Sequence, residues 1–110
     1  MNPAKIYENL VATGTAMAEA RYEYEQLDSQ TKSILALLTL EAKEVEEVGS
    51  MAEATQIALS SSFYRDHLRS VVAARLAYGK AEVLYKASDS LFQAQRTVES
   101  SERAALHAAT

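Results

Sequence analysis

The 110-residue sequence contains no cysteine, no tryptophan, one proline and three glycines. Without cysteine there is no disulfide framework, no thiolate metal site and no thiol nucleophile, a composition suited to a reducing cytoplasm. So few turn formers leave the chain few places to reverse direction. Long apolar runs are missing too. The strongest, "ILALLTL" at 34–40, is far short of the ~20 residues needed to cross a bilayer. The opening "MNPAKIYENL" lacks the basic-then-apolar pattern of a secretory leader. These absences predict a small, soluble, single-domain cytoplasmic protein with no membrane partner.

The net charge of −4 argues against a general attraction to nucleic acid. Its distribution is uneven. Residues 1–60 carry ten acids against four bases, whereas residues 61–110 carry seven bases against five acids. Opposite signs on two halves suit helices lying against each other, within one chain or between chains.

What the sequence does contain is helical periodicity. Asn2 is a good N-cap and Pro3 fits the first helical position, where its missing N–H costs nothing. From there a 3-4-3-4 spacing runs through Ile6, Leu10, Thr13, Met17, Ala20, Tyr24, Leu27, Thr31, Ile34, Leu38, Glu41, Val45 and Val48. Sustained over six heptads, this pattern predicts a coiled-coil-like helix over 3–48. Gly49 then stands where a left-handed residue would close the helix. Ser50 and Glu53, in "SMAE", form a capping box that starts a short helix over 51–59. The run "SSS" at 60–62 is a second interruption, with Ser61 or Ser62 as the cap of a third helix over 63–106.

Every seventh residue of that third helix is large: Tyr64, Val71, Tyr78, Tyr85 and Phe92. The alternate seam positions hold His67, Ala74, Ala81, Ser88 and Gln95, and alternation of large with small residues lets two helix backbones approach closely. The packing seam therefore includes Tyr24, Leu27, Ile34 and Leu38 from the first helix. From the third it includes Tyr64, His67, Val71, Tyr78, Tyr85 and Phe92. His67 is placed to hydrogen-bond across the seam, to Glu41 or a threonine, and so to fix register as buried polar residues do in coiled coils.

The two long helices are nearly equal, each ~65 Å at 1.5 Å per residue. The fold class predicted is all-α: a long antiparallel helical hairpin with a short helix at the turn. Two helices alone leave Leu35, Leu37, Leu76, Val83, Leu84 and Leu91 uncovered. A small two-helix unit buries too little surface to stand easily alone, so a homodimer or higher oligomer is expected.

Chemistry is harder to find. The acidic run "EAKEVEEV" at 41–48 invites a carboxylate metal site. A di-iron bundle, however, needs Glu-x-x-His pairs, and Tyr64 and Ala104 stand three residues before the two histidines. No phosphate loop, nucleophile elbow or H-E-x-x-H motif is present. The sequence predicts a non-enzymatic protein without a cofactor. Arg65, Arg69, Arg75, Lys80, Lys86 and Arg96 interleave with the aromatics, the ingredients of a single-strand nucleic-acid platform. They scatter over several heptad positions, however, while the aromatics share one. Direct DNA binding by a basic edge of the third helix is the alternative expectation.

The stretch "YRDHLRSVVAARLAYGKAEVLYKASDSLFQAQRTVESSERAA" at 64–105 resembles the C-terminal half of small uncharacterised bacteriophage proteins. The likeness lies in its Tyr-x-x-His-Leu start, its alternating small residues and bases, and its ending "FQAQRTVESSERAA". Residues 4–50 match only in being helical. Genes of that family tend to lie near phage recombination and replication functions. The resemblance implies a phage or prophage origin, a bacterial host cytoplasm, a phage or host protein as partner, and an accessory role in DNA recombination. It carries over no functional residues.

Overall fold

The structure is a computed structural model that describes residues 2–45 and 49–109. The chain is all-α, as the patterning predicts: α1 (Pro3–Ser29), α2 (Thr31–Val45), α3 (Met51–Leu59) and α4 (Ser62–Ala109). The side chains named from sequence supply the caps. Asn2 Oδ1 accepts from the Ala4 N–H at 2.9 Å. Ser50 Oγ accepts from the Glu53 N–H at 3.2 Å, and Ser61 Oγ from the Tyr64 N–H at 3.2 Å. Each satisfies one of the donors that a helix start leaves without a partner.

Two local expectations are corrected. The helix expected over 3–48 is interrupted at Gln30, whose N–H turns to the Leu27 carbonyl at 3.3 Å, a tighter i→i−3 bond. Ser29 Oγ donates to the Gln26 carbonyl at 2.8 Å, so a side chain competes for the backbone of the last turn. The helical pattern resumes with the Ile34 N–H donating to the Gln30 carbonyl at 2.9 Å. Beyond the described part of α2, the chain enters α3 through Ser50 in an extended conformation (φ −134°, ψ 154°). Val48, the expected end of the first helix, lies outside the described residues, as do Glu46 and Glu47 of the acidic run. Second, α4 begins one residue earlier and runs further than the expected 63–106, to Ala109.

The chain divides into two compact units, one built from residues 1–19 and 78–110, the other from residues 20–77. In the first unit, α1 and α4 run antiparallel. Tyr7 meets Phe92 and Gly14 meets Tyr85, so seven residues up one helix correspond to seven down the other. Ile6 is the largest fully buried side chain, 2% exposed. Leu10, Thr13, Met17, Tyr78, Ala81, Tyr85, Ser88 and Phe92 are half-buried along the two helices.

In the second unit the N-terminal arm is again antiparallel to α4. Tyr24 meets Arg75, and seven residues on, Thr31 meets His67. Here α3 packs on α2, and the residues buried there are small: Ala42, Ala54 and Ala58, with Thr39. Alanine at those positions lets the two helix backbones come close without loss of packing density.

Candidate interaction surfaces

Each side chain of the predicted seam can be placed in its own unit. In the first unit the ring of Tyr85 lies over Gly14. A Cβ built there would stand 3.2 Å from Tyr85 Cε1 and 3.4 Å from Cδ1. The missing side chain is what allows a tyrosine edge to rest on the helix backbone. One heptad along, the rings of Tyr7 and Phe92 are 6.2 Å apart and inclined at 51°, within the range of tilted aromatic pairs. The pairing is large over small, then ring beside ring.

In the second unit, His67 is buried and Thr31 half-buried. Their side chains are hydrogen-bonded at 2.9 Å between Nε2 and Oγ1. Of the two partners expected from sequence, the structure selects the threonine. Glu41 is exposed and Val45 is 71% exposed, so neither lies in the seam; both expectations are corrected. The buried positions have shifted to Thr39 and Ala42 because the helix facing α2 there is α3. Thr39 remains satisfied inside by donating from Oγ1 to the Leu35 carbonyl at 2.7 Å. Tyr24, Leu27, Ile34, Leu38, Tyr64 and Val71 are half-buried. The Arg75 guanidinium lies 5.6 Å from the centre of the Tyr24 ring, a cation–π contact that sequence spacing alone gave no reason to expect.

The basic residues offered as a nucleic-acid edge are dispersed. Arg65 donates to the Ser60 carbonyl at 3.3 Å. Arg69 pairs with Asp66 at 3.6 Å and Lys86 with Glu82 at 3.5 Å. With Arg75 placed on Tyr24, Lys80 and Arg96 are the remaining two, both exposed and sixteen positions apart on α4. Like Arg21–Glu25 at 2.9 Å, the two ion pairs lie within single helices at i,i+3 or i,i+4, where they add little to stability.

Apolar surface is the more prominent feature. In the second unit a groove between α2 and the start of α4 is lined by Ile34, Leu37, Leu38, Glu41 and Phe63, with Leu37 and Phe63 both more than half exposed. Another lies between α2 and α3, around Leu35, Leu40 and Met51. In the first unit the solvent side of α4 exposes Val83, Leu84, Leu91 and Val98. Of the residues expected to remain uncovered, Leu37, Leu76, Val83, Leu84 and Leu91 are exposed and Leu35 is half-buried.

Among the described residues, no group of three or more His, Asp or Glu side chains is placed to hold a metal ion, and no helix is long and apolar enough to cross a membrane. No protein-family model, curated protein or solved structure matches the chain.

Proposed function

We propose that this chain is a non-enzymatic helical interaction protein that self-associates and acts by presenting helix faces to other proteins. The observation that carries the reading is apolar surface left uncovered within each unit. Leu37 and Phe63 are 67% and 62% exposed in the second unit, and Val83, Leu84 and Val98 on α4 are 66%, 61% and 49% exposed in the first. Exposed apolar patches of this kind mark interaction surfaces.

In keeping with the likeness of residues 64–105 to small bacteriophage proteins, the machinery it serves is DNA recombination or replication, reached through protein contacts. Measuring binding to single- and double-stranded DNA at low and moderate salt tests that route. The expected result is no binding at low salt. Affinity that is present at low salt and falls steeply as salt rises would instead favour direct DNA contact through the bases of α4.

A further inference from the structure

We infer that α4 carries a second packing seam, and that its occupant is the same seam of a second copy of this chain. The inference rests on the self-association proposed above and names the surface that performs it.

The first seam of α4, the one that meets α1, reads Tyr78, Ala81, Tyr85, Ser88 and Phe92, large and small in turn. One residue back in phase, a second 3-4-3-4 column runs through Leu84, Ala87, Leu91, Ala94, Val98 and Ser101. It repeats the same alternation, yet every member is solvent-exposed; Leu84, Leu91 and Val98 are 61%, 40% and 49% exposed. Successive residues on a helix are 100° apart, so the column looks away from α1 and not toward it.

The charges of this part of α4 avoid that side. Between Ala81 and Ala105 they are Glu82, Lys86, Asp89, Arg96, Glu99, Glu102 and Arg103, and none falls on the column or on the row beside it (Val83, Ser90, Thr97, Ala104). An exposed helix face of more than 20 residues without a charge is unlike an ordinary solvated surface. It also continues past Glu99, beyond which every described residue of α4 is exposed.

The alternation selects the occupant. A column of large and small residues is complementary to itself when inverted, which is the requirement of a two-fold, isologous contact. In the register that sets each large residue on a small one, Leu91 meets Ala94 of the second copy, Val98 meets Ala87 and Leu84 meets Ser101. Lys80 then lies within a turn of Glu102 of the second copy, so the one base at the edge of the face finds an acid. This is the same antiparallel, large-on-small packing that Tyr85 makes on Gly14 inside the chain.

The test is Leu91→Glu, a change at an exposed position that leaves the α1 seam untouched. Sedimentation should show the native chain as a dimer. The variant should be a monomer with unchanged helical circular dichroism, its dissociation constant raised about 30-fold or more, as for loss of an interface hot spot. A variant that remains a dimer would overturn this surface while leaving self-association standing; a native chain that is monomeric would overturn both. Register is tested separately, and needs no loss of binding. The chain has no cysteine, so Leu84→Cys and Ser101→Cys each introduce a single thiol. An equimolar mixture, mildly oxidised, should give chiefly the mixed disulfide dimer. Predominance of Leu84→Cys paired with itself, or no cross-linking above that of a cysteine placed at Lys86, would overturn the antiparallel arrangement.

Discussion

Gly14 lies beneath the ring of Tyr85, close enough that a methyl group in its place would press on the ring edge at 3.2 Å. Two effects compete at this position. Replacing a mid-helix glycine by alanine gains about 1 kcal/mol in helix propensity. The contact at 3.2 Å requires the ring to shift by a few tenths of an ångström, which offsets part of the gain. Gly14→Ala should therefore change stability by less than about 1 kcal/mol, whereas Gly14→Leu should cost roughly 1–3 kcal/mol by overpacking. Thermal melts of both variants check this, and a neutral Gly14→Leu would mean that Tyr85 does not rest on the helix.

The Thr31–His67 hydrogen bond should behave as a buried polar pair. Removing one partner, as in Thr31→Val, leaves a buried imidazole nitrogen without its bond and should cost roughly 1–3 kcal/mol. Replacing both, as in Thr31→Val with His67→Leu, should recover most of that loss, because no polar group is then left unmatched. A double-mutant cycle by urea unfolding measures the coupling. Strictly additive costs would show that the two side chains do not interact.

The start of α3 depends on one hydroxyl. Ser50 Oγ accepts from the Glu53 N–H, and Ser50→Ala should destabilise by about 1 kcal/mol, with Ser50→Gly only a few tenths. Chemical denaturation of the two variants separates a capping role from a general intolerance of change.

Positions 41 and 42 distinguish the continuous heptad from the packing observed. On the heptad Glu41 is the inward residue, but in the structure it is exposed and Ala42 is buried. Glu41→Ala should shift stability by no more than about 0.5 kcal/mol, while Ala42→Leu should cost roughly 1–3 kcal/mol by wedging α2 from α3. The reverse order of effects would restore the simple repeat.

Those two positions also show where sequence reading reaches its limit. From Ile6 to Leu38, and from Tyr64 to Gln95, every residue on the 3-4-3-4 repeat is buried or half-buried, because a helix that packs on one neighbour turns one stripe inward. The caps at Asn2, Ser50 and Ser61 were legible for a similarly local reason: each is decided within three or four residues. Beyond Leu38 the partner of α2 changes, and with it the inward stripe moves by one residue to Thr39 and Ala42. No count along α2 contains that information, because it depends on where α3 docks. The interruption at Gln30 is similarly hidden. Asp28 and Ser29 are weak helix formers of a kind found inside many helices, and side-chain bonds like that of Ser29 to the Gln26 carbonyl also occur inside unbroken helices, at Thr39 and Ser70. The Arg75–Tyr24 contact joins a seam residue of α1 to a residue of α4 that lies off the repeat. The second column on α4 was partly visible as leftover leucines and valines. Its significance depends on the structure, which shows that α1 does not cover it.

Sedimentation velocity of the native chain over a range of micromolar concentrations is the most direct test of self-association. The surface left uncovered predicts a species of twice 12.0 kDa that dissociates on dilution. A single 12.0 kDa species at every concentration would contradict it.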